Sequence, residues 1–276
     1  MRTRYGLLLA ALVGCESAAR SERPATAPDA SAKASDSDEA KAPPPPASSS
    51  PLATAAPAGE SPQPPPETTV DASAPPVERT PCRVALIGDS LTDSRVGGGY
   101  VRYLERLSPN SRFVSFAKGG AMVNQMKRQL DAMFTHPDAV FTHLIVFAGV
   151  NDLYSDETAG RTREKIETDL KALYAGGRSR GLRVVAITVA PWGGFDKYYN
   201  PRRAAATREL NAWILAGPTR GDTDVAVDAY ALLSCGDPER LCPRFAMAKS
   251  DGLHFGKLGH EALGQALYDA EFHKCS

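Results

Sequence analysis

The sequence predicts a three-layer α/β/α sandwich on a five-stranded parallel sheet. Two observations carry this. Five short apolar runs lack the alternation of half-exposed strands, and helical patterns separate them. A third observation fits the same fold: Ser90, Gly120 and Asn151 each fall just past the carboxyl end of such a run, where open parallel sheets gather their reactive groups.

The strand candidates are Arg83–Ile87, Arg112–Phe116, His143–Ala148, Arg183–Val189 and Asp224–Val227. They are rich in Val, Ile and Phe, as suits strands buried on both faces. Helices are expected near Tyr100–Leu107, Met122–Phe134, Arg161–Arg180 and Pro201–Leu215. Glu164, Lys165, Glu167 and Lys171 give the third of these an exposed charged face. Pro201 fits a helix start, where its missing amide hydrogen costs nothing. A last helix, Lys257–Glu271, carries Leu258, Ala262, Leu263, Ala266 and Leu267 on one side. Alternating strands and helices build a layered α/β domain.

The chain of 276 residues divides into three parts. Residues 1–15 have the form of a secretion signal, with Arg2 and Arg4 before a short apolar stretch from Leu7 to Val13. That stretch is shorter than the roughly 20 residues a membrane-spanning helix needs. Residues 16–80 hold 14 of the 22 prolines and almost no large apolar side chains. Such a segment cannot bury enough surface to offset the entropy of ordering, so a disordered, partly polyproline-II tether is expected. At about 3.1 Å per residue it would reach on the order of 200 Å when fully extended. Residues 81–276 make one domain large enough for a real core. Their 25 basic and 22 acidic residues give near neutrality and no basic stripe, which excludes a nucleic-acid partner.

Four cysteines, Cys82, Cys235, Cys242 and Cys275, lie in this domain. An even count in an exported chain favours disulfides. Cys235 and Cys242 close a short loop most easily, which leaves Cys82 with Cys275. The spacing fits no zinc module, and neither a metal nor an organic cofactor is expected.

The segments that carry chemistry are Gly88-Asp89-Ser90-Leu91, Gly119-Gly120, Gly149-Val150-Asn151-Asp152 and Asp251-Gly252-Leu253-His254. Together they resemble the blocks of the SGNH, or GDSL, hydrolase family, over nearly the whole domain. The Gly-x-Ser-x-Gly elbow of α/β-hydrolases is absent. The resemblance implies a flavodoxin-like sheet and a serine esterase. Ser90 would attack the acyl carbonyl, and His254 would act as base and then acid. Asp251, three residues before His254, would accept from the other imidazole nitrogen. The resemblance also implies oxyanion donors: the Ser90 amide, a glycine amide and the Asn151 side chain. Gly120 is the expected glycine, with Gly119 as the other register.

Asp89, Asp93 and Asp152 read as loop-holding residues. His136, His143, His260 and His273 receive no role, and Asn211 and Trp213 read as helix-face residues. Trp192-Gly193-Gly194-Phe195 and Tyr198-Tyr199 fit either an aromatic wall for a sugar or acyl group or plain loop packing.

Leu12-Val13-Gly14-Cys15 resembles a bacterial lipoprotein lipobox. This implies cleavage before Cys15, lipidation there and a membrane anchor in the cell envelope; an ordinary signal peptide with an incidental Cys15 is the alternative, and a monomer is expected. The expected substrate is a small ester or an acylated polysaccharide. Two other readings are an envelope carbohydrate-binding module without turnover and a purely structural lipoprotein.

Overall fold

The computed structural model describes residues 80–96, 98–137 and 140–275. The expected signal, Cys15 and nearly all of the expected tether lie outside the described residues.

β1 (Arg83–Gly88), β2 (Arg112–Ser115), β3 (His143–Phe147), β4 (Arg183–Ile187) and β5 (Val225–Val227) pair in parallel. Their order is β2-β1-β3-β4-β5. This is the flavodoxin-like order, in which the chain changes direction between β1 and β3. Gly88 stands opposite Phe147 there, so both strands deliver their next residues to one crevice.

Each central strand feeds two cores because successive side chains point to opposite faces. Val84, Leu86, Ile145, Phe147, Val185 and Ile187 enter one core. There they meet Leu104 of α1 (Gly99–Leu107) and Leu263 and Leu267 of α8 (Lys257–Ala270). Ala85, Ile87, Leu144, Val146, Val184 and Ala186 enter the other. They meet Leu130 of α2 (Lys127–Thr135), Leu170 and Leu173 of α4 (Arg163–Arg178) and Leu210 of α5 (Pro201–Leu215). Each such leucine contributes about 1.5–3 kcal/mol when fully buried.

Three short helices stand outside the expected ones: α3 (Val150–Tyr154), α6 (Gly217–Arg220) and α7 (Ala229–Leu233). Segments this short show no helical period. The expected helix Met122–Phe134 divides into a 3-10 turn, Val123–Gln125, followed by α2. Leu258 is 53% exposed and does not join the buried face of α8. At 3.6 residues per turn it lies about 140° around the helix from Leu263. β4 stops at Ile187 rather than Val189. The Asn211 side chain takes over both backbone groups of Val189, accepting from its amide at 2.8 Å and donating to its carbonyl at 3.0 Å.

Both expected disulfides are present. Cys82–Cys275 has Cα atoms 5.3 Å apart and joins the two ends of the domain, while Cys235–Cys242 closes a local loop at 4.9 Å. Among the described residues no helix is long and apolar enough to cross a membrane.

Candidate active site

β1 ends at Gly88, which has no room for a side chain. A Cβ there would sit 2.6 Å from Thr92 Oγ1 and 2.7 Å from the Phe147 carbonyl oxygen. Gln129 of α2 holds both backbone groups of Gly88, accepting from its amide and donating to its carbonyl, each at 2.9 Å. The chain then turns sharply. The Asp89 carbonyl accepts from the amides of Thr92 and Asp93, and Asp89 Oδ1 accepts from the Leu91 amide at 3.0 Å. Ser90 is thereby held at the head of the sheet.

Ser90 Oγ lies 2.8 Å from His254 Nε2. His254 Nδ1 lies 2.6 Å from Asp251 Oδ2. Asp251 Oδ1 also accepts from the amides of Leu253 and His254, at 3.0 and 2.8 Å. Burial pushes the Asp251 carboxyl up, but these amides and the imidazole outweigh it, and its pKa falls below the ordinary carboxylate value. Asp251 is thus an anion beside the imidazole, which fixes the tautomer with Nε2 free to accept a proton from Ser90.

The loop that carries His254 is braced from an unexpected direction. Gly252 has φ +78°, and a Cβ on it would lie 1.9 Å from the Gly194 carbonyl carbon. Gly193 in turn donates its amide to the Glu239 carbonyl. Gly194 therefore supports the loop of Asp251 and His254 through backbone contact, a role that local sequence does not reveal.

The two glycines after β2 differ. Gly119 donates its amide to Asp93 Oδ2 at 3.1 Å. Gly120, at φ +74°, has open space where a side chain would stand. Among the described residues the amides of Ser90 and Gly120 have no hydrogen-bond acceptor. Asn151 follows Gly149 (φ +118°) in the first turn of α3. It donates from Nδ2 to Asp89 Oδ2 and to the Ala121 carbonyl, both at 3.1 Å, and Tyr154 donates to its Oδ1 at 2.9 Å. An oxyanion approaching Asn151 must share one of these two hydrogens. Burial pushes Asp89 up to about 7.

The remaining acids hold loops. Asp93 pairs with Arg95 as well as Gly119. Asp152, fully buried, accepts from the Val123 amide at 2.9 Å and from Arg161 Nε at 2.7 Å. The aromatic segment splits in two. Trp192 is buried, donates to Thr207 Oγ1 at 3.0 Å and packs edge-on with Tyr199. Phe195 and Tyr198 are half-buried and meet the ring of Tyr154, the residue that bonds Asn151. His143 and His260 are buried and, among the described residues, bond none of Ser90, Asp251 and His254. The cluster Cys82, His143 and Cys275 has ligand atoms within 4.8 Å of one another, but the two sulfurs are bonded to each other.

This geometry can be set beside known proteins. Residues 86–262 match the GDSL-like Lipase/Acylhydrolase family. The fold resembles a GDSL-like lipase from Bacteroides thetaiotaomicron, with TM-score 0.52 and 18% identity over 68% of this chain and 86% of that one. It resembles a lipase/acylhydrolase from Enterococcus faecalis, with TM-score 0.53 and 19% identity over 68% and 94%. It also resembles a mutant of Axe2, an acetyl-xylooligosaccharide esterase from Geobacillus Stearmophilus, with TM-score 0.53 and 17% identity over 69% and 94%. A search of the curated proteins gives no match. The family match spans the segment from β1 to α8 that brings Ser90 to His254, and the chain belongs to the GDSL-like lipase/acylhydrolase family of carboxylic-ester hydrolases.

Proposed function

We propose that this chain cleaves a short-chain O-acyl ester, such as an O-acetyl group on a polysaccharide, through an acyl-serine intermediate on Ser90. The unbroken chain from Ser90 Oγ through His254 to Asp251, at 2.8 and 2.6 Å, carries the proposal. His254 Nε2 takes the Ser90 proton as Oγ attacks the carbonyl carbon. The negative charge on the carbonyl oxygen falls to the amides of Ser90 and Gly120, with a shared hydrogen from Asn151. As the intermediate collapses, the bond to the alcohol breaks and His254 gives its proton to the departing alkoxide. Water then gives a proton to His254, attacks the acyl carbon and releases the acid, and the proton returns to Ser90.

The half-buried rings of Phe195 and Tyr198 beside Tyr154 supply an amphipathic surface for a sugar or acyl group. The two disulfides agree with a chain exported to an oxidising compartment. With lipidation at Cys15, the enzyme would work tethered in a bacterial envelope. The test is hydrolysis of p-nitrophenyl acetate, butyrate and octanoate by the wild type and Ser90→Ala. Turnover lost in the variant supports the serine mechanism. A wild type no faster than the variant on any ester would sink it and favour the binding-module reading.

A further inference from the structure

A cavity of about 270 Å³ opens between the oxyanion loop and the start of α2, lined by Lys118, Gly119, Gly120, Gln125, Arg128 and Gln129 among others. It adjoins the nucleophile: a Cβ on Gly119 would lie 3.8 Å from Ser90 Cβ. Its lining contains two cations and no carboxylate. Among the described residues, neither Lys118 nor Arg128 has a side-chain hydrogen bond or ion pair. The first turn of α2 carries no acidic residue, so the positive end of the helix dipole there is not offset by a side chain of its own. Gln125 accepts from the Met122 amide through Oε1, and its Nε2 hydrogens have no partner among the described residues. A second cavity, of about 360 Å³ beside the N-terminus of α5, differs in this respect. Its two arginines are neutralised, Arg208 by Glu239 and Arg240 by Asp196.

We propose that the cavity beside Gly120 binds an anionic group on the ester substrate, a carboxylate or a phosphate, so that the enzyme selects acylated acidic sugars over neutral ones. The inference rests on the esterase reading, which makes Ser90 the reacting group. Donors and cations converge on one side of the oxyanion loop with no counter-ion among the residues that line it, which is the chemistry that recognises an anion.

Binding can be measured without turnover. Full-length Ser90→Ala protein is titrated with glucuronate, glucose 6-phosphate and glucose, and affinity is read by NMR chemical-shift change. At least one anion is expected to bind about tenfold more tightly than glucose, the preference fading with added salt as exposed charge pairs do. The two anions separate the carboxylate from the phosphate source. Combining Lys118→Gln with Arg128→Gln is expected to remove the preference, with an unchanged melting temperature confirming the fold. Equal affinity for all three sugars, no saturable binding of either anion, or a preference that survives the double substitution would overturn the proposal. Failure of the esterase reading is seen separately, as absent p-nitrophenyl acetate hydrolysis by the wild type.

Discussion

Asp89 and Asn151 are joined side chain to side chain, Asn151 Nδ2 donating to Asp89 Oδ2 at 3.1 Å. The residue before Ser90 therefore orients the proposed side-chain donor to the oxyanion. Asp89 serves two donors at once, Asn151 and the Leu91 amide. An asparagine there has one acceptor oxygen, so its amide nitrogen must face a donor, at about 1–3 kcal/mol. Asp89→Asn is expected to lower kcat about tenfold to a hundredfold with KM little changed. Asn151→Ala, which removes the donor itself, is expected to cost about 10²–10³. Steady-state kinetics on one ester checks both, and wild-type kcat in either variant would count against this coupling.

The residues that place Ser90 differ in how far sequence reveals them. The five strands are legible because burial on both faces demands unbroken apolar runs. Ser90, Asp251 and His254 are legible because their motifs stand at strand and helix ends. Gln129 and Asn211, which cap β1 and β4 by mimicking backbone, are not. A single amide on an amphipathic helix has the polarity of any surface residue until its target is known. The support of Gly252 by Gly194 is equally hidden, since two segments distant in sequence meet there through backbone alone.

Gly252→Ala tests that support. The new Cβ would meet the Gly194 carbonyl and the Phe195 amide, which are backbone and cannot rotate away, at a φ of +78° that alanine disfavours. The loop must shift, and His254 with it. A displacement of about 1 Å at a reacting group costs on the order of a hundredfold in rate. The expected result is a kcat lowered by about that factor while circular dichroism still reports the native fold. Full activity would mean that the loop position is not set by this contact.

Glu271 and Asp89 shape the pH dependence of stability in opposite senses. Glu271, whose side chain is 1% exposed, receives Arg183 and Lys274 and lies 3.3 Å from His143 Nε2. Burial pushes its carboxyl up, but the two cations dominate and bring it from 4.5 down to about 2. The unfolded chain therefore binds this proton first as pH falls. The stabilisation is complete above about 4.5 and is lost towards pH 2. Both cations are about half exposed to solvent, so the contribution is about 1–3 kcal/mol after screening. Asp89 is raised from 3.8 to about 7, so its protonated form favours the fold and its contribution declines as pH rises between those values. Thermal melts from pH 2 to pH 6 are expected to show Glu271→Gln losing less stability than wild type at the acid end. Parallel curves would remove Glu271 from that role.

The disulfide between Cys82 and Cys275 spans 193 residues and stands at the opposite end of β1 from Ser90. Six residues of strand separate the two by about 20 Å, so the bond affects folding more than chemistry. Closing so long a loop restricts the unfolded chain and stabilises the fold by about 2–4 kcal/mol. For a domain of this size that corresponds to about 5–15 °C in melting temperature. The variant with both Cys82→Ser and Cys275→Ser is expected to melt lower by that amount and to retain wild-type kcat at 25 °C. The corresponding Cys235 and Cys242 variant, which opens a separation of only 7 residues, is expected to lose less. Calorimetry on the two variants ranks the bonds, and an equal loss from both would show that loop length does not govern their contribution.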